Sequence, residues 1–159
     1  AADLGDDVVV LVRGHSRTLL PGRDAEGTRV IDVTGFPDTT RLLLAADALV
    51  TDYSSVMFDF SATGKPMYFL VPDIEHYRGE LRGFYFDLEA HAPGPVARTR
   101  DELLAALRSD TTEVYAERYA HWQAKFNAHD DGHASRRVVK RLFAAGFIDA
   151  NPRGSETGA

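Results

Sequence analysis

Apolar and polar positions come in blocks along this chain, and the blocks predict alternating strands and helices. Val8 to Val12 (VVVLV) is a continuous β-branched run, the pattern of a strand buried on both faces. The polar stretch Arg13 to Gly27, with Pro21 and several glycines, reads as loop with at most one helical turn. Val30 to Val33 is a short second strand. Gly35-Phe36-Pro37-Asp38 is a turn ending on a helix N-cap, Asp38. Thr39 to Ala46 carries Leu42, Leu43 and Leu44 as a short helix, and Ala48 to Thr51 is a third strand. A helix over Ser55 to Thr63 is stopped by Gly64, with Pro66 just beyond. Met67 to Val71 is a fourth strand.

The pattern then changes. Pro72 to Pro95 has no clear period and exceeds the usual loop length, which marks it as a functional loop. Gly83 to Asp87 is a candidate short strand within it. Thr99-x-x-Glu102 is a capping box opening a helix from Arg100 to Arg108. Thr112 to Asn127 and His133 to Ala145 read as two further helices. Val114, Ala116, Tyr119, Trp122 and Phe126 lie at roughly helical spacing in the first, with Trp122 and Phe126 read as core. Residues 1–149 form one domain and residues 150–159 a disordered tail.

Strand–helix alternation with short connections predicts an α/β, Rossmann-like parallel sheet with helices on both faces. Ligands of such sheets bind beyond the carboxyl ends of the strands. Arg13–His15, Thr34–Phe36 and Asp52–Ser55 each follow a strand and form the candidate rim.

Composition narrows the function classes. The formal net charge is −6, which argues against broad nucleic-acid binding, since that needs a basic face. No run of eighteen apolar residues is present to span a membrane, and the start does not read as a signal peptide. The absence of cysteine rules out a disulfide framework and thiolate metal sites. His129, Asp130, Asp131 and His133 match no metal spacing; Asp130 or Asp131 reads as the cap of the last helix. No metal and no cofactor are expected.

The most chemical stretch is Asp52-Tyr53-Ser54-Ser55, where a strand gives way to a helix. A helix start presents free N–H groups and the positive end of the macrodipole. With two serine hydroxyls it makes a socket for a phosphate or diphosphate. Asp59 lies one turn beyond Ser55 on the same face, where a carboxylate accepts hydrogen bonds from a ribose diol. Plain helix capping and a solvated Asp59 are the competing readings. The order of small residue, acid and Gly-x-Pro (Ser55, Asp59, Gly64, Pro66) resembles the donor-site stretch of GT-B glycosyltransferases.

The stretch Leu42 to Asp87, containing Asp-Tyr-Ser-Ser-x-x-Phe-Asp and Arg82-Gly-Phe-Tyr, resembles the CDP-glycerol glycerophosphotransferase family of teichoic-acid primases and polymerases. So do VLVRGH, APGPVARTRDELLAAL and KFNAHDDGHASRRVVKRLF, in the family's order. The resemblance implies the C-terminal, donor-binding half of a GT-B fold, with its first strand and the acceptor domain missing. It implies transfer of glycerol phosphate from CDP-glycerol, or a similar CDP-polyol, to a polyol-phosphate acceptor on a lipid carrier. The acceptor would be engaged through the missing N-terminal domain. The parent would be cytoplasmic and peripheral at the inner face of the membrane, and the isolated fragment inactive. A nucleotide-sugar GT-B glycosyltransferase and a non-catalytic nucleotide-binding module are the alternatives.

His15 matches the family's Arg-x-His, whose histidine is implicated in catalysis or donor-phosphate contact. An imidazole there either stabilises the departing CMP or acts as general base. Arg13 pairs either with phosphate or with a carboxylate. Arg82 either reaches the diphosphate or braces its loop. Phe36, or the backbone of Gly35 to Pro37, is placed to hold the cytosine. Ser54, Ser55 and Asp59 complete the expected donor site.

Overall fold

A computed structural model describes residues 2–14, 29–81, 83 and 85–144. Among the described residues there are five short strands, with helices following β2, β3 and β4, and every strand pairing is parallel. Strand β1 (Val10–Val12) pairs with β2 (Val30–Asp32), Leu11 opposite Ile31. Strand β4 (Met67–Leu70) lies between β3 (Leu49–Thr51) and β5 (Val96–Ala97), with Thr51 and Val96 both opposite Phe69. Among the described residues no ladder joins the two sheets.

The central strand β4 shows why an apolar run goes inside. Met67, Tyr68 and Phe69 are all buried, as both faces of a central parallel strand must be. Strand β1 does not follow its pattern: Val9 is 56% exposed and Leu11 40%. It is laddered on one side only among the described residues, so its apolar run lacks the cover the sequence predicts.

The helices are α1 (Thr39–Ala45), α2 (Val56–Ser61), α3 (Ile74–His76, running on into a wide turn over Tyr77–Leu81), α4 (Leu88–His91), α5 (Arg100–Leu107), α6 (Thr112–Phe126) and α7 (Ala134–Ala144). Local chemistry sets their ends. The Asp38 carboxylate accepts from the Arg41 amide, capping α1 as predicted. Lys65 Nζ donates to the Leu44 and Ala46 carbonyls at 2.8 and 2.7 Å, satisfying the other end of α1. Gly64, at φ +73°, ends the α2 segment in the left-handed region. Thr99 Oγ1 accepts from the Glu102 amide, and the Glu102 carboxylate accepts from the Arg98 amide. Asp131, rather than Asp130, anchors the first turn of α7, accepting from the His133 amide and pairing with Arg137.

Two expectations are corrected. Among the described residues of Gly83 to Asp87 there is no strand; the segment Pro72 to Pro95, read as a loop, instead carries α3 and α4. The fifth strand is Val96–Ala97, which the sequence pattern does not predict. Its pairing depends on Gly94. A Cβ there would overlap the Met67 carbonyl oxygen and lie 2.9 Å from its carbon. Only glycine lets the backbone come this close, after which Phe69 N donates to Pro95 O at 2.9 Å and Val71 N to Ala97 O at 2.8 Å.

The core gathers Phe60, Met67, Phe69, Val71, Ile74, Leu88 and Trp122. Phe58 stacks on Trp122 at 5.3 Å, and Phe86 and Phe126 pack around the pair, confirming Trp122 and Phe126 as packing residues. A polar stripe on α6 then stitches it to α2. Tyr119, Gln123 and Asn127 lie four residues apart along one face. Tyr119 OH donates to Lys65 O at 2.7 Å and Gln123 Nε2 to Ser61 O at 2.7 Å. Asn127 Nδ2 donates to Phe58 O at 3.1 Å, and its Oδ1 accepts from Ser61 Oγ at 2.7 Å. Carbonyls at the end of α2 thus find partners, and the helix is held from its C-terminal side. Residues 150–159, read as a tail, lie outside the described residues.

Candidate functional site

The carboxyl ends of β1, β2 and β3 lead into Arg13, Val33–Pro37 and Asp52–Ser55. At the last of these, Asp52 Oδ1 accepts from the Ser54 amide at 3.0 Å, turning the chain sharply out of β3. Ser54 Oγ is only weakly engaged, 3.4 Å from the Val56 amide. Ser55 occupies the N-cap position of α2 in helical geometry, and its side chain makes no capping bond. Both hydroxyls therefore face solvent with donor capacity left over. The helix start is less open than its sequence implies. Met57 N donates to Ser54 O at 3.2 Å and Phe58 N to Ser55 O at 3.0 Å, so two first-turn amides are already spent. An anion here would meet the two hydroxyls and the amides of Ser55 and Val56.

Asp59 is exposed one turn along α2, and its carboxylate has no hydrogen-bond or ion-pair partner among the described residues. It is neither buried nor used to hold the fold. Phe36 is 39% exposed, with its ring free of the core. Arg13 meets no carboxylate among the described residues. Its Nη1 donates to the Phe36 carbonyl at 2.6 Å and, more weakly, toward the Val33 carbonyl at 3.4 Å. His15 and Arg82 lie outside the described residues.

A wall of this rim escaped the sequence analysis. The Tyr53 ring stacks on Tyr77 at 3.9 Å, nearly coplanar at 17°. The Tyr53 hydroxyl donates to Asp73 Oδ1 at 2.8 Å. Burial first, then the Asp73 hydrogen bond and the nearby carboxylate charges, push the Tyr53 hydroxyl well above its ordinary pKa. It stays a neutral donor and clasps α3 to the β3–α2 turn. The remaining signal in the sequence was the spacing of Asp73 and Tyr77, four residues apart on one helical turn. Farther out, Glu89 accepts from Arg78 at 2.9 Å and Arg98 at 2.8 Å. These two guanidiniums, Arg98 foremost, hold its carboxyl below the usual range. No group of His, Asp and Glu residues is arranged to hold a metal among the described residues.

Parallel strands, flanking helices and a polar rim at the strand ends place the domain in the ligand-binding class of parallel α/β folds. The profile of the CDP-Glycerol:Poly(glycerophosphate) glycerophosphotransferase family matches residues 1–144. The chain belongs to that family. It is 39% identical over 142 residues to a teichoic acid glycerol-phosphate transferase of Staphylococcus aureus (strain NCTC 8325 / PS 47), spanning 88% of this chain and 36% of the relative. It is 38% identical over 148 residues to a teichoic acid poly(glycerol phosphate) polymerase of Bacillus subtilis (strain 168), spanning 90% of this chain and 20% of the relative. A structure of the wall teichoic acid polymerase TagF, a variant soaked with CDPG, superposes with a TM-score of 0.77 at 33% identity, covering 91% of this chain and 37% of TagF. The chain thus spans between a fifth and little more than a third of the length of these proteins, and the shared fold is GT-B-like.

Proposed function

We propose that this chain is the donor-binding half of a glycerophosphotransferase that takes CDP-glycerol or a close CDP-polyol. The observation that carries the proposal is the β3–α2 turn. Two serine hydroxyls with spare donor capacity and an unpartnered carboxylate one turn on stand in a chain of the glycerophosphotransferase family. The diphosphate would rest on Ser54 and Ser55, the ribose diol on Asp59, and the cytosine against Gly35–Pro37 and Phe36. In the transfer, an acceptor hydroxyl oxygen attacks the phosphorus that bears glycerol while its proton passes to a general base of the parent protein. The bond from that phosphorus to the CMP oxygen breaks, and CMP leaves with the added negative charge. His15 and Arg82, which lie outside the described residues, would stabilise that charge. No metal or cofactor is needed for this scheme.

The acceptor, a polyol phosphate on a lipid carrier, would be bound by parts of the parent protein outside this chain. Its contact with the inner face of the membrane would be made there too. No helix among the described residues is long and apolar enough to cross a bilayer. We read residues 1–149 as one doubly wound domain, whose strands form two ladders among the described residues, β1–β2 and β3–β4–β5.

Calorimetry on the intact protein with CDP-glycerol, CDP-ribitol, CDP, cytidine and UDP-sugars tests the proposal, with stability measured on the same samples. Ser54→Ala with Ser55→Ala should weaken CDP-glycerol and CDP but leave cytidine nearly unchanged. Asp59→Ala should weaken CDP by roughly 1.5–3 kcal/mol, the scale of a hydrogen bond to a charged group. Preference for a UDP-sugar would favour a glycosyltransferase instead. A lowered melting temperature with the CDP-to-cytidine ratio intact would leave the serines as structural residues and sink the phosphate socket.

A further inference from the structure

We infer that Arg13 is a positioning residue for the loop after β2, setting which base the site accepts, and not a ligand of the donor's phosphates. The inference rests on the reading of Gly35–Pro37 as the base-holding loop. Arg13 follows directly on β1, and its guanidinium turns toward the end of the neighbouring strand. The bond from Nη1 to the Phe36 carbonyl, at 2.6 Å, is short and charge-assisted; the approach to Val33 O at 3.4 Å adds little. The Phe36 amide donates to that same Val33 carbonyl at 3.0 Å. One turn bond and one cation therefore close the loop on itself.

The start of the loop is tied as firmly. Gly14 N donates to Thr34 Oγ1 at 3.0 Å, and Thr34 N to Asp32 Oδ1 at 2.8 Å. At Gly35 the loop is open: a Cβ built there would have no neighbour inside 4 Å. The polar bonds tie it to β1 and β2. With no carboxylate partner among the described residues, the Arg13 charge is directed at these carbonyls.

Such a clamp has a definite use at a base site. Cytosine and uracil differ by an exchange of donor for acceptor at two ring-edge positions. A rigid backbone rejects the wrong base because a polar group is left unpaired, and a loose one adapts to either. Freeing the Phe36 carbonyl should therefore cost selectivity, and the cost should not depend on how many phosphates the ligand carries.

The test compares Arg13→Ala and Arg13→Lys with the wild type in the intact protein, by amide hydrogen exchange and by calorimetry with CDP, CMP, cytidine and UDP. In Arg13→Ala the Phe36 amide should exchange about tenfold faster, as loss of one net hydrogen bond from a charged donor implies, while the Leu49–Thr51 amides hold their rates. Affinity for CDP, CMP and cytidine should fall by one common factor, and the preference for CDP over UDP should shrink. Arg13→Lys, which keeps one donor, should fall between; if Arg13→Ala does not fold, this variant carries the same comparison. A loss that grows from cytidine through CMP to CDP, with the CDP-to-UDP preference intact, would make Arg13 a phosphate ligand and overturn the inference. Unchanged exchange at Phe36 would overturn it equally. A wild type that binds CDP and UDP alike would remove the base-loop reading itself, and this inference with it.

Discussion

Replacing Asn127 tests whether the polar stripe on α6 holds α2 in place. Three hydrogen bonds are lost in Asn127→Ala: to Phe58 O at 3.1 Å, from Ser61 Oγ at 2.7 Å, and to Asp130 Oδ2 at 2.8 Å. The last is exposed and contributes little. The first two are partly buried, and each is worth about 0.5–1.5 kcal/mol net. The full penalty of an orphaned group does not apply. Ser61, fully buried, keeps a second acceptor in Phe58 O at 2.8 Å, which in turn keeps that hydroxyl as a donor. The sum is about 1–3 kcal/mol, or a melting temperature lower by roughly 2–4 °C per kcal/mol for a domain of this size. Asn127→Asp separates this from a simple loss of volume. It keeps the size and the acceptor for Ser61 but sets an oxygen against Phe58 O and Asp130. At neutral pH it should cost at least as much as alanine. Repulsion raises the introduced carboxyl's folded pKa, so its protonated form restores stability below about pH 4, the unfolded value. Urea melts at pH 7 and near pH 4 check this. An Asn127→Ala midpoint equal to wild type, with Asn127→Asp no worse, would show that α6 is held by its aromatic face alone.

Three further outcomes follow from contacts already described. Gly94→Ala should prevent β4–β5 pairing, because the new Cβ meets backbone rather than a movable side chain; a loss below the ~1–3 kcal/mol of ordinary overpacking in a denaturant melt would refute that close approach. The folded pKa of Tyr53 lies above its unfolded value of about 10, so its contribution is fully present below about pH 10 and is lost as pH climbs toward the folded value. Stability should fall more steeply with alkali in the wild type than in Tyr53→Phe, and parallel curves would exclude the clasp. Arg137, then the His133 amide, lowers the folded pKa of Asp131, so its contribution is present above the unfolded value of about 3.9 and fades as pH falls through the folded one; a carboxyl titration by NMR at or above 3.9 would rule out the pairing.

What was legible in the sequence was local. Asp38, Gly64 and Thr99-x-x-Glu102 end helices through groups within four residues, so their spacing was enough. Strand β5 was not legible, because it depends on Gly94 meeting Met67, twenty-seven positions away. The helical turns of Pro72 to Pro95 are likewise held from outside, by Tyr53 and by the Arg98–Glu89 pair. The stripe Tyr119, Gln123, Asn127 was present in the spacing of α6, but only its apolar neighbours signal burial. At the candidate site, Ser54, Ser55 and Asp59 stand on the rim where the β–α order puts them. Arg13 shows the limit: charge foretells a partner, and among the described residues no carboxylate takes that place, while carbonyl oxygens of a nearby loop accept its bonds.

The two separate ladders have a mechanical consequence. A parallel ladder is stiff along its hydrogen bonds, so Phe36 moves with β1–β2 and Ser55 moves with β3–β4–β5. Among the described residues no ladder joins the two, and side chains tie them instead, Arg100 reaching the Asp3 carboxylate and Arg108 the Asp3 carbonyl. The rim, from the base loop to the serine turn, therefore spans both ladders. A molecule long enough to touch both Phe36 and Ser55 would act as a strut between them, fixing a spacing that no ladder among the described residues sets.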